Sequence, residues 1–326
     1  MLSWFSTLLP SKDPSLRDSS LDSSVRFVAK DQGHRGPLFH LSVFSTPEGD
    51  VCCSVNPSCL FIFFLRENDG KPPGKHLSLP PDTFTCASRV GFDGLLLGAQ
   101  SGTVFQISIS STLMIRTETL VHSATGGVTS VASFDSSVRA AGFSDGLVAI
   151  WRSEVAEMIM VGNESTVCNC IHFPNQDELW VGLSTGELLV VESTNLTVTR
   201  RAELSTAATV LNSLDETVYV LAGEELKTFS TKTKEFIRAY SGTSLTCGSA
   251  LTCFEILGSL VLFGSLDGSF CLRDSQSDLR LVHQVNPASE LYAAPITAAT
   301  LHGEKEILVG DSAYIIRAVD HINNNN

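Results

Sequence analysis

Short apolar runs alternate with tight polar turns along most of this chain, and the turns recur at a nearly constant interval. Four copies are plain: Gly98-Ala99-Gln100-Ser101-Gly102, Gly142-Phe143-Ser144-Asp145-Gly146, Gly182-Leu183-Ser184-Thr185-Gly186 and Gly264-Ser265-Leu266-Asp267-Gly268. Weaker copies surround Gly223 and Gly310, and Ser54 to Ser58 extends the series backwards. From Ser54 onward the steps are 44, 44, 40, 41, 41 and 46 residues. Each interval holds apolar stretches with the period-two alternation or continuous β-branched runs that mark strands. A period in the low forties built from such strands predicts one four-stranded unit repeated seven times, the signature of an all-β, seven-bladed propeller.

The interval from Val128 illustrates the unit. Val128 to Phe134 alternates as a first strand, and Asp135-Ser136-Ser137 turns the chain. Val138 to Phe143 forms a second strand, Leu147 to Trp151 a third, and Met158 to Val161 a short fourth. Second and third strands are nearly continuous apolar runs, as expected where both faces of a strand are covered. The last repeat ends after its third strand. At the other end Val25-Arg26-Phe27-Val28-Ala29 is a strand with no hairpin of its own. The expected solution is that Val25, Phe27 and Val28 complete the last blade and close the ring, removing an open sheet edge. Residues 25–322 then form the propeller. Residues 1–24, eight of them serine, form a flexible tail, and residues 323–326 a polar one. Trp4, Phe5, Leu8 and Leu9 are unusual in such a tail.

Composition narrows the function classes. The chain has 326 residues and a formal net charge of −13. The average field therefore repels phosphates, which argues against direct binding of nucleic acid. The densest basic stretch is short: Arg66, Lys71, Lys75 and His76 around two prolines. No apolar run approaches the length needed to span a bilayer, and no basic residue precedes Trp4 to Leu9 as it would in a secretory leader. A soluble intracellular protein is expected. Nine cysteines, mostly inside strand-like runs and without zinc spacing, read as small apolar core residues in a reducing compartment.

Gly142 to Gly146 and Gly182 to Gly186 both match Gly-x-Ser-x-Gly, the nucleophile elbow of serine hydrolases. That elbow requires a strand-to-helix turn, whereas these lie between strands and repeat with the blades. The glycines Gly98, Gly102, Gly142, Gly146, Gly182, Gly186, Gly264 and Gly268 are expected to serve the blade turns through positive φ. The eight histidines show no metal-binding spacing, and no phosphate-cradling glycine loop precedes a helix. No catalytic, metal or cofactor site is assigned, and no small-molecule substrate.

The Gly-x-x-Asp-Gly turn, the strand ending in Ile150-Trp151 and Gly33-His34 at a blade entrance together resemble the WD40 repeat family across residues 25 to 320. The Trp-Asp dipeptide of that family is missing, since Arg152 follows Trp151, so contact between blades is expected to lean on apolar packing. Within that family the segment Ile307 to Ile316, and the run from Ser165 to Val191, are similar to the nucleoporin-forty-three family of propellers in the Y-shaped scaffold of the nuclear pore. That resemblance implies a non-catalytic structural subunit docking onto other protein subunits at the nuclear envelope, with a shared role at kinetochores. The alternatives are a substrate receptor of a ubiquitin ligase and, third, a WD40-like hydrolase. The long excursions Arg66 to His76 and Ser275 to Pro295 are the candidate partner-binding loops, with Arg66, Lys71, Lys75, His76, Leu279 and Val282 as the residues of interest.

Overall fold

The computed structural model describes residues 25–30, 38–46, 49–65, 75–77, 82–92, 94–109, 115–122, 126–152, 156–163, 165–246, 249–285, 294–302, 306–312 and 315–320. The tails 1–24 and 323–326, together with Arg66 and Lys71, lie outside these residues. Strand β1 (Val25–Lys30) is followed by the sheet β2 (His40–Thr46), β3 (Gly49–Asn56), β4 (Cys59–Phe64) and β5 (Lys75–Leu77). Next come β6 (Phe84–Val90), β7 (Gly94–Ala99), β8 (Thr103–Ile109) and β9 (Ile115–His122), then β10 (Val128–Phe134), β11 (Val138–Phe143), β12 (Leu147–Trp151) and β13 (Glu157–Met160). They are succeeded by β14 (Cys168–Asn175), β15 (Glu178–Leu183), β16 (Glu187–Glu192) and β17 (Thr197–Glu203), and by β18 (Ala208–Leu214), β19 (Thr217–Ala222), β20 (Glu225–Ser230) and β21 (Phe236–Ser241). The chain ends with β22 (Leu251–Leu257), β23 (Leu260–Ser265), β24 (Phe270–Asp274) and β25 (Arg280–Val285), then β26 (Ile296–His302), β27 (Glu306–Asp311) and β28 (Ile315–Asp320).

Among the described residues these strands form seven four-stranded antiparallel sheets. Six are simple meanders of consecutive strands. The seventh has the order β1-β28-β27-β26, so the N-terminal strand is its fourth member, with Val25 opposite Val319 and Lys30 opposite Ile315. The side chains of Val25, Phe27 and Val28 lie outside the described set.

By its internal contacts the chain divides into two compact units, Met1–Leu79 with Thr243–Asn326, and Pro80–Gly242. The first holds the sheets of β2–β5, β22–β25 and β26–β28 with β1; the second holds the four sheets from β6 to β21. Within each unit, successive sheets bury a layer of apolar side chains between them. In the second unit Val138, Ala140, Val148 and Ile150 of one sheet meet Ile171, Leu179, Val181 and Leu189 of the next. In the first unit Leu262, Phe270 and Leu272 meet Ile296, Ile307 and Val309.

The paired glycines have two different jobs. The second of each pair has positive φ, 79° at Gly146, and the same backbone state recurs at Gly102, Gly186 and Gly268. The first of each pair is not in the turn. Gly98, Gly142, Gly182 and Gly264 lie inside β7, β11, β15 and β23, where neighbouring sheets approach too closely for a side chain. A Cβ on Gly142 would sit 2.8 Å from Cys168 Cβ, one on Gly182 2.6 Å from Ala208 Cβ, and one on Gly264 2.6 Å from Ile296 Cβ. The expectation that all eight glycines serve turn geometry is therefore corrected: half of them set the spacing between sheets.

A polar seam runs beside these glycines. In six sheets the first strand skips one residue of register, at Thr85, Thr129, Asn169, Thr209, Thr252 and Thr297. The bulge aims the residue out of its own ladder. Thr129 Oγ1 lies 2.5 Å from the carbonyl of Cys168 in the next sheet and 3.0 Å from that of Gly142 in its own. Thr85 reaches Val128 at 2.6 Å, and Thr252 reaches Ile296 at 2.8 Å. Each acceptor immediately precedes the bulge residue of the next sheet. Apolar layers do join the sheets, as expected, and these hydrogen bonds add to them. The indole N–H groups of Trp151 and Trp180 find no partner among the described residues, and the threonines do the joining instead.

Gly142→Ala should lower stability by roughly 1–3 kcal/mol, because backbone-bearing atoms of the next sheet must yield. Thr129→Val, nearly isosteric, should cost about 1–2 kcal/mol through lost hydrogen bonding at buried carbonyls. Urea unfolding of both variants checks this. Deleting residues 1–30 should destabilise by several kcal/mol, at about 1 kcal/mol per lost backbone hydrogen bond along β28. A thermal melt equal to that of the intact chain would refute the role of β1.

Candidate partner-binding surface

The sequence candidates separate once placed. Lys75 and His76 belong to β5, paired opposite Ile62 and Phe61, and are strand residues, not loop residues. A short helical turn, Ser275–Ser277, and β25 occupy the first part of the second supposed loop, and 286–293 lie outside the described residues. Leu279 is 4% exposed with φ 56°, so it is a buried corner and cannot greet a partner. Val282 sits in β25 and is 49% exposed. At three residues β5 is too short to register in the sequence, and the apolar residues of β25, Leu281, Val282 and Val285, do not alternate.

The elbow-like serines are engaged structurally. Ser144 Oγ accepts the Gly127 N–H at 3.0 Å, and Ser184 Oγ accepts the Val167 N–H at 2.9 Å. Each lies in a β-hairpin, extending the pairing of its own sheet. Burial pushes the thiols of Cys86, Cys168, Cys170 and Cys253 up to about 12, so they stay protonated. Three of them face a glycine across their ladders: Cys86 opposite Gly98, Cys170 opposite Gly182, Cys253 opposite Gly264. Among the described residues no group of three or more His, Cys, Asp or Glu is placed to hold a metal, and no helix is long and apolar enough to cross a membrane. Arg152 bonds to Ser193 and to the Gln176 carbonyl of the next sheet.

What sequence reasoning missed is a wedge of about 440 Å³ between β17 and the β20–β21 hairpin. Arg200 and Ala202 form one wall; Lys227, Phe229, Lys234 and Phe236 form the other, with Glu203 and Glu225 at the mouth. Its floor is aromatic: Phe229 meets Trp180 edge-on at 6.0 Å and Phe236 at 5.8 Å. Phe236 and its neighbour Ile237 are 56% and 55% exposed.

The wedge lies where a usually apolar slot of the repeat holds a charged residue. Third strands place Phe105, Ala149, Leu189 and Cys271 opposite Leu97, Ala141, Val181 and Phe263, and all four are buried. The same slot opposite Val220 holds Lys227. Its ammonium turns aside to Glu225 at 3.4 Å and Ser205 at 3.1 Å, leaving the space unfilled. Aligning the third strands by their glycine turns exposes this substitution in the sequence, together with Arg317, which takes the same register opposite Val309 in the last sheet.

The chain matches no family model and no curated protein sequence. Solved structures do resemble it. The WD40 β-propeller domain of Doa1 superposes with a TM-score of 0.71 at 14% identity, covering 93% of this chain and 99% of that one. The computationally designed Ika8 protein gives 0.59 at 14% identity, covering 90% and 99%. The chain therefore has an all-β propeller fold.

Two half-buried titratable groups occupy equivalent places in the first strands, His172 opposite Trp180 and Glu255 opposite Leu262. Burial pushes the His172 imidazole down to about 4, and its Nε2 lies 2.7 Å from Ser213 Oγ of the next sheet. Burial pushes the Glu255 carboxyl up to about 7. Between pH 4 and 6.5 the unfolded chain binds the His172 proton and the folded one does not, so this group makes stability rise with pH. Between pH 4.5 and 7 the folded chain keeps the Glu255 proton longer, so that group makes stability fall with pH. His172→Gln should flatten the acid side of the stability profile and Glu255→Gln the neutral side, as read from thermal melts across pH 4–8.

Proposed function

We propose that this chain is a non-catalytic protein-interaction scaffold. It is a seven-bladed WD40-type propeller over residues 25–322, closed where β1 completes the sheet of β26–β28, and it serves as a structural subunit of the nuclear pore scaffold. The observation that carries the scaffold reading is the propeller architecture itself, in which stiff sheets hold apolar side chains outward on their last strands. Met158 and Met160 on β13, Phe236 and Ile237 on β21, and Leu281 and Val282 on β25 are all exposed. Such residues on a rigid frame are suited to docking other proteins. The pore assignment draws on the Ile307–Ile316 segment and its likeness to the nucleoporin propellers.

Neighbouring readings fit less well. A ligase receptor of this type would present Trp-Asp-x-Arg at the end of a third strand, whereas here Arg152 takes the Asp position and is tied to Ser193 and Gln176. A hydrolase would need an activated nucleophile, whereas Ser144 and Ser184 hold backbone N–H groups. A fluorescent fusion of the full chain should mark the nuclear envelope as a rim, and affinity purification should recover pore scaffold subunits. Diffuse fluorescence with ligase adaptors recovered instead would overturn the assignment.

A further inference from the structure

The Lys227 substitution converts the outer part of one inter-sheet layer from sealed core to open groove. A residue that breaks its own repeat at a cost in packing marks a place where another requirement governs. Charge identifies what the groove accepts. Lys227 is satisfied by Glu225, Lys234 by Glu178, and Arg201 on the opposite face of β17 by Glu187. Arg200, on the groove wall, makes no ion pair among the described residues. With Lys227 held by Glu225 and Lys234 by Glu178, Arg200 is the lining cation left to meet a partner's carboxylate, on a chain of net charge −13. Beside it lie the exposed ring of Phe236 and the aromatic floor of Phe229.

We propose that the wedge between β17 and β20–β21 docks an extended acidic segment of a partner protein, with one apolar side chain packed on Phe236 and one carboxylate paired to the Arg200 guanidinium. An apolar anchor seated on exposed aromatic surface supplies affinity, and a bidentate arginine–carboxylate pair supplies register. The two glutamates at the mouth disfavour a polyphosphate, whose charge density they would repel. A partner segment lying along β21 also covers Ile237, which has no burial partner of its own in that sheet's exposed last strand. This proposal rests on the scaffold reading and names one docking site for it.

The probe is an immobilised set of short synthetic peptides carrying a Leu or Phe anchor, with Glu, Gln or Lys at each neighbouring position, incubated with the full chain. Glu-bearing peptides should bind best. Arg200→Glu should weaken them by about tenfold or more and favour the Lys-bearing set. Lys227→Leu is the second variant: it fills the slot as four other sheets do, so it should melt no earlier than the parent while losing peptide binding. That pairing separates loss of the groove from loss of the fold. Equal binding of Glu, Gln and Lys peptides, retention of binding in Lys227→Leu, or preferential capture of a single-stranded oligonucleotide would each overturn the proposal. If no peptide binds while pore subunits are still recovered by both variants, the groove assignment falls and the scaffold reading stands.

Discussion

The spacing between neighbouring sheets is set by a glycine that cannot carry a side chain and a threonine that reaches across beside it. At Gly142 the next sheet's Cys168 occupies the volume a Cβ would need, and Thr129 places its hydroxyl against the Cys168 carbonyl. The two devices are coupled through the bulge, because skipping one residue of register turns Thr129 out of its own ladder and toward the next. Close approach lets apolar faces interlock, and the directional hydrogen bond selects one registration of sheet on sheet. The seam recurs in both compact units, from Thr85 to Thr252.

Such a seam joins the sheets of this propeller fold without the Trp-Asp dipeptide that Arg152 displaces. Trp151 and Trp180 are buried as packing residues, and their indole N–H groups play no part in joining sheets among the described residues. It also accounts for three of the cysteines, Cys86, Cys170 and Cys253. A small thiol opposite the spacing glycine fills the bulge without forcing the ladder apart, and burial keeps it protonated. Reactive chemistry is neither required nor favoured at those positions. The interaction surface lies elsewhere, where the pattern lapses: Lys227 stands in a slot that is apolar in four other sheets, and the layer opens into a groove.

Much of the architecture was legible in the residues. The interval between Gly-x-x-x-Gly turns marks the sheets, and Val25 to Ala29 reads as the strand that pairs with β28. The threonines were also within reach, since Thr85, Thr129 and Thr297 each lie 13 positions ahead of the spacing glycine. Candidate loops were harder. Length marked Arg66 to His76 and Ser275 to Pro295 as excursions, yet Lys75, His76 and Val282 are strand residues and Leu279 is buried. A three-residue strand such as β5 and a strand without alternation such as β25 do not register in the sequence, and an isolated leucine carries no sign of which way its backbone will turn it.

Local order was determined along the chain itself: strand positions follow from alternation, and turn positions from glycine and aspartate, because both depend on neighbours in sequence. The roles of the first glycines, the reach of the bulge threonines and the groove around Lys227 were decided only in three dimensions. Each depends on which residues a neighbouring sheet brings to within a few ångströms, and that distance is a property of packing between segments some forty positions apart.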